Sequence, residues 1–461
     1  MLELNRYDTN ELKEKDKKHL WHNITPYSEQ DRPMIVTEAA GSWVTDSEGN
    51  RYLDAMSGLW CVNVGYGRQE LADAAYKQLS TMPYFPLTQS HLPAIELAEK
   101  LNEWLEGEYV IFFSNSGSEA NEVAFKIARQ YQQQIGQHNR FKFISRYRAY
   151  HGSSLGALSA TGQAQRKYKY EPLTSGFLHV APPDSYRRPD GMSVEDFNLQ
   201  CANEIERTIV WEGVESVAAV IMEPVITGGG IIVPEPSYLK RVEEICNQYG
   251  VLLIIDEVIC GFGRSGRKFG HQNFSIQPDI VTMAKGLTSG YLPLSATAVR
   301  KEIYDTFKDN TEMYSHLRHV NTFGGNPASC ALALANLQLL EREQLVARAE
   351  VLGQRLRSAF DDLLEHPLVG DIRHFGFLLG IELVADKTTK APASVDVVKK
   401  IIGECKRAGL IIGKNGDTVA GYNNVLTFSP PLASTDDDMA FIISTFKQVM
   451  ANQIASADDA G

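Results

Sequence analysis

VLLIIDEV (251–258) and DIVTMAKGL (279–287) are two apolar stretches that carry Asp256 and Lys285 near their carboxyl ends. Short apolar runs bounded by polar residues and glycine are typical of strands that are buried on both faces of a parallel sheet. Ligands of open parallel sheets bind just beyond the carboxyl ends of the strands. The two stretches therefore predict that an acid and an amine meet at one crevice of such a sheet.

The side chains of Asp256 and Lys285 indicate the chemistry of that crevice. A lysine that is shielded from solvent can lose its proton and form imines with carbonyl compounds. A buried aspartate can keep a neighbouring ring nitrogen protonated. Together they predict a cofactor that has an aldehyde and a ring nitrogen, and pyridoxal 5'-phosphate has both.

Strand and helix patterns alternate along the chain from about residue 109, and this alternation predicts an α/β fold with a mostly parallel sheet. A helix with one apolar face is expected over 120–131, and a second one over 238–250, where Gly250 closes it. The stretches predicted as strands of the large sheet are 109–114, 141–146, 217–222, 251–256, 279–284 and 294–299.

The domain organisation follows from the same patterns. We expect a large domain over 59–326, and a smaller α/β domain within 327–461 that begins with one long connecting helix. Residues 1–58 contain a hairpin pattern in GSWVTDSEGNRYLDAMSG and are predicted to pack with the small domain.

Composition narrows the class of protein. The chain has 461 residues, 43% of them hydrophobic, and a formal net charge of −12, which argues against nucleic acid as a partner. No stretch approaches 18 apolar residues, and the N-terminus lacks the apolar region of a secretory signal. We expect a soluble, cytoplasmic enzyme without membrane contact.

Disulfides and metal sites are not expected. The six cysteines are far apart and form no C-x-x-C pair. His316 and His319 stand three residues apart without a cysteine or carboxylate at ligand spacing, so we interpret them as surface residues.

Two stretches could bind a phosphate. In SNSGSEANE (114–122), Ser116, Gly117 and Ser118 come where a helix begins, and backbone N–H groups at that end attract anions. Ordinary helix capping explains the same residues equally well. In NTFGGNP (321–327), Thr322 could donate to a phosphate, or the stretch is simply a helix start with Pro327 in the first turn.

Two further stretches follow predicted strands. In RAYHG (148–152), Tyr150 could stack on a flat cofactor, whereas a packed tyrosine and a packed or capping His151 are the simpler interpretation. In EPVITGGG (223–230), Glu223 could orient a tyrosine or a ring substituent, or be a solvated loop charge.

GFGRSG (261–266) matches the dinucleotide-binding pattern G-x-G-x-x-G and raises the alternative of an NAD-dependent dehydrogenase. The true motif opens an amphipathic helix directly after a strand. Here the following residues, RKFGHQNFSIQP, have no helical period, so we interpret the match as accidental.

In chain order, LDAMSGLW, SGSEANE, YHG, EPV, IIDEV, GFGRSG, AKGL and TFGGNP resemble the class III pyridoxal-phosphate aminotransferases, the ω-aminotransferases of the aspartate-aminotransferase fold (fold type I). The resemblance spans about residues 20 to 450. It implies transamination between an amine donor and a keto acid by a ping-pong mechanism, in a homodimer or tetramer with shared active sites.

The resemblance also implies roles for individual residues. Lys285 would be the Schiff-base lysine and general acid–base catalyst, and Asp256 would pair with the pyridinium nitrogen. The other cofactor-binding residues would be Ser116, Gly117, Ser118, Tyr150, His151, Glu223 and Val258, with Thr322 from a neighbouring subunit. The substrate pocket would be formed by Leu59, Trp60, Phe85, Tyr150 and Tyr168, some of them across a dimer interface.

The substrate is the least constrained expectation. Many pyruvate-using relatives carry an arginine just before the PP of the C-terminal segment, but here no arginine follows Arg407, and Lys414 is the nearest cation. We expect pyruvate as acceptor and taurine, β-alanine or another ω-amine as donor. Aminomutases and decarboxylases of the same fold are the alternatives, because they share the lysine and the aspartate.

Overall fold

The computed structural model describes residues 8–26, 28, 33–308 and 313–458. Its first half contains α1 (Thr9–His19), β1 (Val36–Ala40), β2 (Trp43–Asp46), β3 (Arg51–Asp54), α2 (Ser57–Trp60), α3 (Gln69–Thr81), α4 (Leu92–Leu105), β4 (Tyr109–Ser114), α5 (Gly117–Gln134), β5 (Lys142–Arg146), α6 (Leu155–Ala160), α7 (Ala164–Lys167), β6 (Phe177–Val180), α8 (Val194–Trp211) and β7 (Val217–Met222). The second half contains α9 (Pro236–Tyr249), β8 (Leu252–Asp256), β9 (Ile280–Met283), β10 (Ser295–Arg300), α10 (Lys301–Thr306), α11 (Pro327–Arg342), α12 (Leu345–Ala359), β11 (Val369–Phe375), β12 (Leu378–Asp386), β13 (Ala391–Pro392), α13 (Val395–Arg407), β14 (Leu410–Ile411), β15 (Gly413–Lys414), β16 (Val425–Phe428) and α14 (Asp436–Asp458).

A seven-stranded sheet forms the centre of the fold, in the order β4-β10-β9-β8-β7-β5-β6. The pairs β9–β8, β8–β7, β7–β5 and β5–β6 are parallel, whereas β10 runs antiparallel to both of its neighbours. The prediction of an α/β fold with a mostly parallel sheet is confirmed. The carboxyl ends of β7, β8 and β9 consequently lie side by side.

Helices cover both faces of this sheet. Every residue of β7 is buried, and alternate residues enter different hydrophobic clusters: Val220 packs with α8 and α9, and Ile221 packs with α5. The helix predicted over 120–131 buries the expected face within α5. Gly250 ends α9 in the left-handed conformation, with φ 62°, as predicted. The local patterns and the observed packing agree here because each helix buries its apolar stripe against a strand.

The smaller sheets lie in the N-terminal and C-terminal parts of the chain. One has the order β1-β2-β3-β14, and β3 pairs with β14 in parallel through Leu53 and Leu410. The other contains β11, β12, β16 and β15, and β13 pairs with β12. The N-terminal hairpin therefore shares a sheet with a strand from the C-terminal part of the chain.

The prediction of one long connecting helix after Pro327 is wrong. Two helices, α11 and α12, stand in its place, and Gln344 between them is left-handed, with φ 53°. Glu343 accepts two hydrogen bonds from the guanidinium of Arg68, which fixes the end of α11 against the start of α3. The turn allows both Leu340 and Leu345 to be buried, and a straight helix of this length would carry the second half away from the core.

Among the described residues, every helix is too short or too polar to span a lipid bilayer.

Candidate active site

A cavity of about 150 Å³ lies at the carboxyl edge of the large sheet. Gly152, Ile259 and Ala284 contribute to its wall. Nine of the ten residues predicted to bind the cofactor line it: Ser116, Gly117, Ser118, Tyr150, His151, Glu223, Asp256, Val258 and Lys285. The tenth, Thr322, does not. Segments at the ends of five different strands (β4, β5, β7, β8 and β9) therefore supply one site.

Asp256 is buried at the end of β8, and three neighbours orient its carboxylate. Oδ2 accepts a hydrogen bond from Nδ2 of Asn121 and contacts Nδ1 of His151, each at 2.9 Å. Oδ1 accepts from the backbone N–H of Val258 at 3.1 Å. Since a carboxylate only accepts, Nδ1 of His151 carries the proton in this pair. Asn121 of α5, His151 in the loop after β5 and the backbone of Val258 therefore fix the position of this carboxylate.

Lys285 follows β9, the strand beside β8. Its backbone is left-handed, with φ 45°, a conformation that costs energy for a residue with a side chain and is concentrated at functional sites. The residue is half-buried and lines the cavity. Within the described ranges, no carboxylate forms an ion pair with its amine.

The N-terminus of α5 forms one end of the cavity. Ser116 caps the helix, because its Oγ accepts from the N–H of Glu119 at 3.3 Å, so the capping interpretation is correct. The same turn presents Gly117 and Ser118 to the cavity. A Cβ at Gly117 would lie 3.0 Å from Val258, so glycine keeps this end of the cavity open. Backbone N–H groups at a helix start attract phosphate, and capping does not prevent this.

Glu223 supports Tyr150 from beneath. Its Oε1 accepts a hydrogen bond from the backbone N–H of Tyr150 at 3.1 Å, and its Oε2 accepts from the N–H and Oγ1 of Thr227. Burial raises the pKa of the Glu223 carboxyl. The side chain fixes the backbone of an aromatic residue in the cavity wall and is no solvated loop charge.

These residues fit pyridoxal 5'-phosphate. The cavity has a helix N-terminus for a phosphate, a buried carboxylate for a ring nitrogen, and a lysine for an aldehyde. Tyr150 supplies an aromatic wall and Val258 an aliphatic one, which suits a flat ring. In addition, Nε2 of His151 is buried without a hydrogen-bond partner among the described residues, so the site has polar capacity left for a ligand.

Four of the five predicted substrate residues lie elsewhere in the single chain, whereas the fifth, Tyr150, lines the cavity. Leu59, Phe85 and Tyr168 are 70%, 47% and 72% exposed, and none of them lines the cavity. Trp60 is half-buried and packs against the hydrophobic cluster of β7 and β8. Thr322 lies in a separate groove, where its carbonyl accepts a hydrogen bond from Tyr84 Oη at 2.9 Å. The fold of one chain brings neither these four residues nor Thr322 to the cofactor cavity.

Sequence reasoning missed Asn121 and Thr227. The Asn121 side chain also accepts from Thr282 Oγ1 at 2.8 Å, so it ties α5, β9 and Asp256 together. A buried asparagine among Ala120, Val123 and Ala124 on the apolar face of α5 was the available signal. Buried polar groups of this kind are retained where every hydrogen bond is made.

The GFGRSG motif does not form the dinucleotide site of a dehydrogenase. After GFGRSG the chain forms only a short 3-10 turn over Gly270–Phe274, so the helix that a dinucleotide site requires is absent from this described stretch. Arg264 of this motif is buried and donates to Ser57 Oγ and Asn63 Oδ1. In the part of the chain that the structure describes, no group of three or more His, Cys, Asp or Glu residues could hold a metal ion.

Comparison with known proteins identifies the family. The profile of the family "Aminotransferase class-III" matches residues 25–450. The chain is 62% identical to an uncharacterized aminotransferase of Bacillus subtilis, over 95% of this chain and 96% of that protein. It is 42% identical to the taurine–pyruvate aminotransferase of Bilophila wadsworthia, again over 95% of this chain and 96% of that protein.

Solved structures agree with this result. An aminotransferase from Bacillus anthracis matches with a TM-score of 0.93 and 57% identity, covering 96% of this chain and 98% of that one. An omega transaminase from Pseudomonas jessenii in complex with PMP matches with a TM-score of 0.93 and 36% identity, covering 98% and 100%. The chain belongs to the class-III aminotransferases, which act with pyridoxal 5'-phosphate on an amine donor and a keto acid.

Proposed function

We propose that this aminotransferase moves an amino group from an ω-amino acid or primary amine, such as taurine or β-alanine, to pyruvate by a ping-pong mechanism. One observation carries the chemistry: Lys285 and the oriented carboxylate of Asp256 line the same cavity. The substrate pair is supported by the taurine–pyruvate enzyme of Bilophila wadsworthia, which matches almost the whole chain.

The cofactor, when bound, supplies an electron-withdrawing ring and a carbonyl group that accepts the amino group. Residues of the chain would bind the cofactor and orient it. Asp256 would accept a hydrogen bond from the ring nitrogen and keep it protonated, since its carboxylate is fixed by Asn121 and Val258. Gly117 and Ser118 would hold the phosphate at the N-terminus of α5.

Lys285 would act as the acid–base residue. Its Nζ would take a proton from the amine-bearing carbon of the donor and return it on the cofactor side, as general base and then general acid. Tyr150, positioned by Glu223, would cover one face of the ring, and Val258 would pack on the other. His151 would hold Asp256 in place through Nδ1.

A homodimer with shared active sites is part of this proposal. A groove of about 630 Å³ runs along the surface of one chain, and it is lined by the exposed apolar side chains of Tyr84, Leu87, Ile95, Tyr304 and Val320. Exposed apolar side chains that lie together in one groove are typical of interfaces between proteins. Thr322 lines this groove and Phe85 stands between Tyr84 and Pro86 at its edge, and we propose that a second copy seated there brings both residues to the partner's cavity.

A donor panel tests the substrate proposal. Purified enzyme loaded with the cofactor is incubated with pyruvate and, separately, with taurine, β-alanine or propylamine, and the alanine that forms is measured. We expect alanine from at least one of these amines, and none from a Lys285→Ala control. A complete lack of alanine would contradict the substrate pair but not the family. Rearrangement of a donor without pyruvate would indicate the aminomutase alternative instead.

A further inference from the structure

Arg166 lies against the wall of the active site. It belongs to α7, and its guanidinium carbon stands 5.1 Å from the centroid of the Tyr150 ring. Tyr150 lines the cofactor cavity. A guanidinium stacked on an aromatic face is held in a defined plane while its N–H groups remain able to donate. The arginine therefore places a positive charge one side chain away from the reaction centre.

The guanidinium of Arg166 is only partly used by the protein. Nε donates to Oε1 of Gln163 at 2.7 Å, and Nη2 donates to the carbonyl of Gly416 at a long 3.4 Å. Nη1 has no hydrogen-bond partner in the ranges that the structure describes, and no carboxylate there forms an ion pair with the group. A half-buried arginine normally has an acid beside it, because removing an unpaired charge from water is costly.

Lys414 adds a second positive charge beside the same segment. Its Cε lies 3.2 Å from the position that a Cβ would take on Gly416, the residue whose carbonyl Arg166 binds. Lys414 is also half-buried, and among the described residues it too has no acidic partner. Two unpaired cations next to one backbone segment are unusual in a chain with 57 acidic and 45 basic residues.

Neighbouring hydrogen bonds hold the segment of Arg166 against the segment that contains Gly416. The N–H of Gln165 donates to the carbonyl of Thr418 at 3.2 Å, and Nδ2 of Asn423 donates to Oε1 of Gln165 at 2.7 Å. Nε2 of Gln163, the residue that holds Nε of Arg166, donates to the carbonyl of Arg148 at 2.9 Å. Arg166 is thus preorganised before any ligand binds, which lowers the cost of binding.

We propose that Arg166, assisted by Lys414, binds the acidic group of the substrates. This inference rests on the proposed function. The ligands are small ω-amino acids with a terminal sulfonate or carboxylate, and the carboxylate of the keto acid in the second half-reaction. Arg166 offers the N–H fork that matches such anions. It would thereby take the place of the arginine that the C-terminal segment lacks after Arg407.

The test compares donors with and without the acidic group. The half-reaction is followed without pyruvate as the loss of the yellow aldehyde form of the cofactor, over a range of taurine, β-alanine or propylamine concentrations. In Arg166→Gln we expect the apparent Kd for taurine and β-alanine to rise by about 10- to 100-fold, the loss of one charged hydrogen-bonding partner. Propylamine should change by less than about twofold, since it carries no anion.

A matched control separates a specific contact from a loss of local charge. Lys167 follows Arg166 on the same helix, but its Nζ contacts the carbonyl of Ser159 and Nε2 of His179. Lys167→Gln should leave all three donors unchanged. Lys414→Gln should weaken the acidic donors by a smaller factor, about 3- to 10-fold, because a lysine binds at one point only. Arg166→Lys should recover part of the loss.

Propanoate provides a readout that needs no reaction of the acid itself. In the wild type it should inhibit the propylamine half-reaction competitively, and in Arg166→Gln this inhibition should weaken by a similar factor. If the apparent Kd rises equally for propylamine and taurine, the proposal is overturned, because Arg166 would then only position the ring of Tyr150. Unchanged acidic donors in a folded Arg166→Gln protein would overturn it as well. Failure of every donor with the wild type would instead refute the proposed function.

Discussion

The cofactor cavity and the surface groove lined by Tyr84, Ile95 and Val320 are two regions of one chain that are built differently. In the cavity, Asp256 has three partners, and Lys285 and the N-terminus of α5 are positioned by the sheet of the same chain. In the groove, apolar side chains such as Ile95 and Val320 are 55% and 74% exposed. The first region is positioned by the fold of one chain, whereas the second would be covered by a second copy in the dimer that we propose.

This difference separates the chemistry of the enzyme from its selectivity. In the function that we propose, the residues of the cavity carry out the transfer of the amino group. Phe85, Tyr168 and Thr322 are exposed in the single chain, so in the proposed dimer they would contribute to selectivity only after assembly. Substitutions in the two regions should consequently fail in different ways.

The largest effect is expected for Lys285→Ala. Without its amine, no residue of the cavity can bind the aldehyde covalently or move the proton, so kcat should fall by about 10³-fold or more. Mass spectrometry after borohydride reduction should find the cofactor on residue 285 of the wild type and no adduct on the variant. An adduct at another lysine would contradict the assignment.

Asp256→Asn should have the next largest effect. The uncharged amide would no longer keep the ring nitrogen protonated, and we expect kcat to fall by about 10²- to 10³-fold while the cofactor still binds. Asp279→Asn is the matched control, because Asp279 is a half-buried acid at the opposite end of the same strands, where it accepts hydrogen bonds from Leu253 N–H and Arg300. That variant should lose stability, with kcat per folded molecule retained. Equal losses of kcat in both variants would contradict the role of Asp256.

Ile95→Arg tests the groove. A charge in a shared apolar surface should weaken the dimer at least about tenfold, and activity should follow the dimer fraction as the protein is diluted. Ile135→Arg is the control, since Ile135 is similarly exposed at the end of α5 and does not line the groove. Sedimentation velocity measures the dimer fraction of both variants. A fully active Ile95→Arg monomer would show that the cavity works without a partner.

The smallest expected effect is the pH dependence of the free energy of unfolding that comes from His179, a residue that contacts Lys167 in the helix of Arg166. Burial, followed by the charge of Lys167, lowers the pKa of His179 from 6.5 to about 4. Between these two values the unfolded chain binds more protons, so the free energy of unfolding should fall as the pH drops from 6.5 toward 4. The slope from this residue is at most about 1.4 kcal/mol per pH unit.

His179→Asn should lack this contribution. Urea unfolding of the wild type and the variant at pH 7, 6 and 5 measures the difference between their pH dependences. Parallel curves would indicate that His179 is protonated equally in the folded and the unfolded protein.

Sequence alone was sufficient for much of the large domain. Strand and helix patterns predicted the sheet, because each helix buries one apolar stripe and each central strand is buried on both faces. Both patterns can be recognised within a short stretch of sequence. The meeting of Asp256 and Lys285 in one cavity could be predicted, because they stand at the carboxyl ends of neighbouring apolar strands. The break at Gln344 could not be foreseen, since the apolar pattern continues across it and only the contact of Glu343 with Arg68 fixes the turn.

The sequence by itself determined the class of fold and the pyridoxal cofactor, and it predicted Lys285 and Asp256 as the catalytic pair. Tertiary structure decided how Asn121 orients Asp256, how Glu223 supports Tyr150, and where Arg166 stands against that ring. The reason is physical: these contacts join segments that are far apart in the chain, and α7 meets the Gly416 segment across 250 residues. Local periodicity records which face of an element is buried, but it does not record which distant segment covers that face.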